Sequence, residues 1–314
     1  MNTNIKMPLY SVIIPVFNSE KTIFSTVEKV VNHFKDNNKK FEVILVNDCS
    51  EDDSWNEIIK ISNQYKEVLA INHLKNYGQH LANISGFKHC KGDYVITMDD
   101  DLQNPPHEII KLINKISGSY DLVIGEFLAK KHGLYRRLGS KVMSWLTKKI
   151  FKVNEVLVLS NFRIADRKVI NRICNDKSTH PYIPGLFLKY SSKRANVKVE
   201  HHERKYGKSS YTLNKIIFLV FNLLFNHSSI PLYTGLFVGF FFSFISFLFS
   251  FYYLITALFN GAIVPGWASI IIMLSFFNGI LILLISLIGE YIIRILREVI
   301  SNRDCEIIEI ITNE

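Results

Sequence analysis

The 314-residue chain has only four cysteines, Cys49, Cys90, Cys174 and Cys305, and no CxxC pair. That excludes the usual zinc-finger spacing, and the four read as reduced, mostly structural thiols. No GxGxxG follows the first apolar run, so the dinucleotide-binding fingerprint is missing. Gly207-Lys208-Ser209 ends like a Walker motif, but position 202 is His where the first glycine belongs. With no helix-turn-helix signature either, the formal charge of +9 points away from nucleic acid. Anionic lipid or a phosphorylated substrate is the better partner. A secretory leader is also lacking: the apolar run Ser11–Phe17 is short, contains Pro15 and has no small-residue cleavage site. The large N-terminal part is therefore expected to stay in the cytosol. The longest absence is of charge. Between Ser228 and Gly289 there is no Asp, Glu, Lys, Arg or His, enough for two membrane spans of ~20 residues each.

Against that background one stretch stands out, Gly92 to Pro106. The apolar run Tyr94–Met98 reads as a buried strand. It ends in Asp99, Asp100 and Asp101, after which Pro105 and Pro106 stop the strand and open a helix. Adjacent carboxylates repel, and a hard cation is one reason to hold them together. Mg²⁺ or Mn²⁺ prefers carboxylate oxygen and leaves positions for phosphate oxygens. Asp99 and Asp101, two apart at a strand end, can reach one ion. An acidic solvated loop is the plainer reading, but open α/β sheets place ligands at the carboxyl ends of their strands.

Taken in order, Tyr10–Phe17 predicts a first strand buried on both faces. A helix to about Phe34, a strand over Phe41–Val46, a helix over Ser54–Tyr65 and a short strand over Val68–Ile71 follow. Gly78–His89 predicts a helix with Gly86 as its weak point. Pro106–Ile116 predicts another, and Asp121–Ile124 a strand. Strands alternating with helices imply a mostly parallel α/β sheet with crossover helices. Asp48, at the end of the second strand, can accept a hydrogen bond from a base or ribose, or cap the helix that follows.

Beyond Ile124 the pattern loosens. Gly125–Lys141 carries Lys130, Lys131, His132, Arg136, Arg137 and Lys141, either a solvated face or a grip on an anionic substrate. Arg136 and Arg137 suit the latter best, since guanidinium binds phosphate in a bidentate way. Ser160–Arg163 and His201–Tyr211 are two more polar clusters. Zinc at His201 and His202 is disfavoured, because neighbours on a strand face opposite ways and no Cys lies near in sequence; a second basic arm for phosphates is preferred. His180–Gly185 reads as turn-rich. Thr212–His227 reads as an interfacial helix or an ordinary buried one. Spans are expected over about Leu232–Phe259 and Trp267–Ile288. Arg294, Arg297 and Arg303 follow the second, so both ends belong in the cytosol. After Gly289 a charged amphipathic helix is expected.

These motifs together resemble the membrane-anchored family 2 glycosyltransferases of GT-A fold that act on polyprenyl phosphates. The shared stretches are SVIIPVFN at Ser11–Asn18, NYGQH at Asn76–His80, and the DxDLQNPP pattern at Asp99–Pro106. The HHxRxxGxSxY pattern at His201–Tyr211 and GEYIxRI at Gly289–Ile295 complete the set. The resemblance implies a Rossmann-like, mostly parallel GT-A domain over residues 1–211. It continues with a juxtamembrane helix at 212–230, two transmembrane helices within 231–289, and a cytosolic amphipathic tail at 290–314. It implies a nucleotide-sugar donor, most often UDP-linked, bound near Pro15, Phe17 and Asp48, with Asp100 and Gln103 close by. Asp99 and Asp101 would hold Mg²⁺ or Mn²⁺ on the diphosphate. Undecaprenyl phosphate would be the acceptor, attacking with inversion, while Arg136 or Arg137, Arg163 and Arg204 orient phosphate groups. The same resemblance implies a multi-pass protein of the bacterial inner membrane, catalytic domain in the cytosol. It implies a homo-oligomer, a tetramer, with a role in cell-envelope polysaccharide or lipid A/O-antigen modification.

This sequence departs from the pattern in places. Asp100 stands where relatives have a small residue, and Phe127 lies near the place of a common arginine. Transfer directly to a lipid-linked glycan is the alternative reaction, and a non-catalytic membrane scaffold the alternative class. A processive synthase is disfavoured, because none of Trp55, Trp145 and Trp267 follows an arginine as a QxxRW motif requires.

Overall fold

The computed structural model describes residues 7–127, 145–147, 149–150, 157–176, 181–202, scattered helical positions between 233 and 259, 266–300 and 305–312. Contacts divide the chain into two units. Residues 1–211 with 302–314 form one, and 212–301 the other.

The first unit is built on strand β1 (Leu9–Val16), whose sequence LYSVIIPV is buried almost throughout. Its side chains alternate between two cores, as the two-residue period of a strand requires. Val12, Ile14 and Val16 join one cluster, and Ile13 the other. Helix α1 (Ile23–Asp36) leads to β2 (Lys40–Asn47), α2 (Ser54–Gln64) to β3 (Val68–His73), and α3 (Gln79–His89) to β4 (Tyr94–Thr97). A 3₁₀ turn at Pro106–Glu108 runs into α4 (Ile109–Ile116), followed by β5 (Leu122–Phe127). Then come β6 (Arg163–Asp166), α5 (Arg167–Cys174), α6 (Ile183–Tyr190) and β7 (Arg194–Val199).

The eight-stranded sheet has the order β7-β5-β6-β4-β1-β2-β3-β8. β1 pairs in parallel with β2 and β4, and β2 with β3. The carboxyl ends of these four strands therefore lie along one rim. β6 is antiparallel between β4 and β5, with Arg163 opposite Thr97. That pairing carries Arg163 to the rim where β4 ends. Gly86, the expected weak point of α3, is buried. A Cβ there would come within 2.5 Å of the Ile13 side chain, so glycine lets the helix approach the sheet closely.

Some segments differ from expectation. Ile183–Tyr190, inside and beyond the turn-rich stretch, is helical, with Pro184 in its first turn where no backbone donor is required. The segment read as an amphipathic tail contains strand β8 (Ile307–Thr312), which pairs antiparallel with β3. Among the described residues of the second unit, α7 (Trp267–Ile300) is a single 34-residue helix. Phe242 packs against Phe276 of α7 at 5.2 Å between ring centroids. Counted over the described residues, no helix is long and apolar enough to cross a membrane.

Candidate active site

The rim of β1, β2, β3 and β4 gathers the polar groups that the sequence singled out. β4 ends at Thr97, and the three carboxylates follow. Asp99 Oδ1 accepts hydrogen bonds from Gln79 Nε2 at 2.7 Å and from Asn161 Nδ2 at 3.4 Å. Asp100 Oδ2 accepts from Ser19 Oγ at 2.5 Å, and its backbone carbonyl from Thr26 Oγ1 at 3.1 Å. Asp101 Oδ1 accepts from the backbone N–H of Gln103 at 3.1 Å. Leu102, between them, has φ of 59°. A branched side chain rarely adopts that conformation, so the acidic loop holds local strain.

Three carboxylates packed this closely are not all comfortable as anions. Burial, reinforced by the charge of Asp101, raises Asp99 to about 6 against the pull of Asn161, Arg163 and Gln79. Burial and the charges of Asp99 and Asp101 raise Asp100 to about 7, against the hydrogen bond from Ser19. Such a site is short of positive charge. A divalent cation would supply it, and oxygen donors from carboxylates are what Mg²⁺ and Mn²⁺ take. The residues thus fit the expected ion.

Arg163 supplies compensating charge to Asp99. It is buried at 2 % exposure, its Nη2 donates to Asn161 Oδ1 at 2.9 Å, and its guanidinium stacks 4.8 Å from the centroid of Phe187. Among the described residues its Nε has no hydrogen-bond partner. Burial lowers it to about 10, with Asp99 opposing that shift, so it remains a cation at neutral pH. Through Asn161 it braces the carboxylate of Asp99 from within the sheet.

Asp48 takes an unexpected position. It is 2 % exposed, and its carboxylate faces the loop after β3. It accepts from the backbone N–H groups of Tyr77 at 2.9 Å and Gly78 at 2.7 Å, and lies 3.0 Å from His73 Nδ1. Gly78 has φ of 86°, a conformation nearly confined to glycine. Asp48 therefore clamps the loop that leads to Gln79, the residue that touches Asp99. Pro15 is half-buried in β1, and Phe17 beyond it is 46 % exposed at the same rim.

Gln103 is joined to the far side of the crevice, where its carbonyl accepts from the N–H of His202 at 3.0 Å. Phe127, at the end of β5, packs on His201 with ring centroids 4.3 Å apart. Arg136, Arg137 and Arg204 lie outside the described residues. Sequence reasoning read Ser19 only as part of a turn with a possible helix cap, and gave no role to Gln79 or Asn161. Gln79 sits inside a motif that was noted, and Asn161 inside a cluster that was noted. Nothing in Ser19 beyond its place in a turn marks it as a partner for Asp100.

A crevice along the carboxyl ends of parallel strands, with an acidic motif at the end of a central one, is where open α/β domains bind their ligands. Residues 11–171 match the family described as Glycosyl transferase family 2. The chain belongs to that family and is a glycosyltransferase. It is 32% identical over 304 residues to the undecaprenyl-phosphate 4-deoxy-4-formamido-L-arabinose transferase of Proteus mirabilis, covering 95% of this chain and 93% of that one. The enzyme of the same name from Photorhabdus laumondii is 32% identical over 294 residues, covering 92% and 90%. In fold, the chain is similar to glucosyl-3-phosphoglycerate synthase from Mycobacterium tuberculosis, solved with Mn²⁺ and UDP-glucose. That similarity has a TM-score of 0.51 at 18% identity, over 71% of this chain and 79% of that one.

Proposed function

We propose that the protein transfers a sugar from a UDP-linked donor to the phosphate of undecaprenyl phosphate, with inversion, in building or modifying cell-envelope glycans or lipids. The observation that carries the reading is the carboxylate cluster at the end of β4, charge-deficient and braced by Gln79, Asn161 and Ser19. Its setting in a chain similar to undecaprenyl-phosphate sugar transferases supplies the acceptor class. Asp99 and Asp101 would hold Mg²⁺ or Mn²⁺, with Gln103 nearby. When bound, the ion supplies Lewis-acid compensation for charge on the departing nucleotide. Pro15 and Phe17 line the rim for the base, and Asp48 shapes the loop beside it. The acceptor phosphate is already anionic, so no strong general base is required. Arg136, Arg137 and Arg204 would orient its oxygens, and Arg163 keeps Asp99 in place.

The reading extends to the bilayer. Residues 1–211 would form the cytosolic transferase domain, 212–230 a juxtamembrane helix, 231–289 two spans, and 290–314 a cytosolic tail that contains β8. Support comes from the uncharged sequence between Ser228 and Gly289 and from α7. Along that helix Ile270, Leu274, Leu281, Ile285, Ile288, Ile292 and Ile295 are exposed. An apolar stripe of that length asks for a cover. On this reading the enzyme is a multi-pass protein of the bacterial plasma membrane and works as a homo-oligomer, a tetramer.

The test is a transfer assay with purified full-length protein, undecaprenyl phosphate and Mn²⁺ against a panel of UDP-, GDP- and dTDP-sugars. The lipid fraction is read by mass spectrometry. A glycosyl phosphoryl lipid formed by the wild type and lost in Asp101→Asn supports the proposal. Donor consumption only on addition of a glycan acceptor would replace it with direct glycan transfer.

A further inference from the structure

Three potential metal ligands, His107, Glu108 and Glu200, meet beside the crevice, drawn from two stretches far apart in sequence, and a fourth, His202, stands next to one of them. His107 and Glu108 lie in the 3₁₀ turn after the acidic motif, and Glu200 and His202 follow β7. His107 Nε2 is 3.5 Å from Glu108 Oε1 and 3.8 Å from Glu200 Oε2. His202 Nε2 is 3.9 Å from the same Oε2. Ligand atoms of His107, Glu108 and Glu200 all lie within 4.8 Å of one another. Nitrogen and oxygen ligands sit about 2.0–2.2 Å from zinc, which places neighbouring ligand atoms of a tetrahedron about 3.4 Å apart. The observed separations need only small side-chain adjustments to meet that value.

We infer that His107, Glu108 and Glu200 form a second divalent-metal site, with His202 able to complete it, and that it takes Zn²⁺. Imidazole nitrogen favours zinc over magnesium, so the site and the all-oxygen acidic motif differ in ion preference. They share no ligand. The local charge also asks for a cation. The Glu108 side chain is 2 % exposed and stands close to a second carboxylate. Its Oε2 accepts the backbone N–H of Glu200 at 3.1 Å, which leaves Oε1 facing His107. There Lys111 Nζ lies at 2.7 Å, on a side chain 44 % exposed. This lysine acts as a replaceable counterion that swings to solvent when the metal enters. A bound ion would fasten the segment after β7 to the loop that follows the acidic motif, reinforcing the backbone hydrogen bond from His202 to Gln103.

The sequence alone disfavours zinc at the pair His201 and His202; the site inferred from the structure takes only His202, and His201 packs on Phe127. Glu200 is two residues from His202, but His107 and Glu108 come from a stretch about a hundred residues earlier, so no spacing rule could show the whole set.

The experiment uses full-length protein dialysed against trace Zn²⁺ in excess Mg²⁺, with bound zinc measured by elemental analysis and bound Co²⁺ by its visible absorption. One equivalent of zinc is expected in the wild type and in Asp101→Asn. Glu200→Gln and His107→Gln, both at exposed positions, should weaken zinc binding roughly tenfold or more while melting normally. Lys111→Met should strengthen it. Loss of zinc in Asp101→Asn, no zinc in the wild type, or zinc retained equally by Glu200→Gln and His107→Gln would each overturn the inference.

Discussion

Ser19 Oγ donates a 2.5 Å hydrogen bond to Asp100 Oδ2, tying the loop after β1 to the middle of the acidic motif. Ser19 is itself fixed, since its N–H donates to Ser54 Oγ at 2.8 Å. The proposed base-binding rim and the proposed metal site are thus joined by one side-chain contact. A hydrogen bond to an ionisable partner contributes about 1.5 kcal/mol, roughly tenfold in affinity. Ser19→Ala and Asp100→Ala are therefore each expected to weaken UDP binding in the presence of Mn²⁺ by about that factor. The double variant should lose little more than either alone. Calorimetric titration of the four proteins checks it, and additive losses would show that the two residues act separately.

The raised values of Asp99 and Asp100 set a pH dependence with a defined sign. In the unfolded chain these groups titrate near 3.9, whereas in the folded metal-free protein they titrate at about 6 and about 7. Their contribution to stability is fully present below about pH 4 and is lost as pH rises through 6 to 7. Mn²⁺ binds the ionised form, so its stabilisation should run the other way. Melting curves in chelator and in Mn²⁺ are expected to converge near pH 5 and separate steadily toward pH 8. Asp99→Asn should reduce that separation. A gap of constant size across the range would refute the assignment.

Much of this crevice was legible in the sequence because its strands are short apolar, β-branched runs that end in polar turns. The runs beginning at Tyr10, Phe41, Val68, Tyr94 and Asp121 all overlap strands of the sheet. β6 was not legible. Its four residues, RIAD, begin with an arginine, and only the antiparallel pairing of Arg163 with Thr97 makes that residue internal. β8 was hidden for another reason: its IIEIIT run follows a long helix, and pairing with β3 is a contact across more than two hundred residues. In the site, the acidic motif announced itself through charge repulsion. Gln79 and Asn161 did not, since an amide gains its role only when the fold brings a carboxylate to it.

Asp48 separates two roles that the sequence left open. Its carboxylate already serves Tyr77 N–H, Gly78 N–H and His73. Removing it strands buried donors, and Asp48→Ala is expected to destabilise the domain by about 2–3 kcal/mol. Gly78→Ala, which forces a side chain into a glycine conformation, should cost about 1–3 kcal/mol. Both variants should also speed amide hydrogen exchange at residues 73–79. If Asp48→Ala melts like the wild type and loses only UDP binding, the carboxylate is a base ligand and not a clamp.

The same loop is held from its other side by β8. Leu74 N–H donates to the Glu306 carbonyl at 2.9 Å, and Glu306 N–H to Tyr77 Oη at 3.0 Å. Ile307 and Ile311 pack against the two cores from this edge. Deleting residues 305–314 would uncover the outer edge of β3 and release Tyr77 one residue before Gly78. An uncovered edge pairs readily with other chains. The truncated protein is expected to aggregate more readily and to bind UDP with Mn²⁺ more weakly, because Gln79 loses a fixed route to Asp99. Tyr77→Phe removes one acceptor and leaves the strand in place. It should therefore keep the sheet edge closed and shift UDP affinity by no more than about tenfold. Size-exclusion chromatography and UDP titration on the two proteins distinguish these effects. Full UDP affinity in a truncated, monodisperse protein would show that β8 protects the edge without supporting the site.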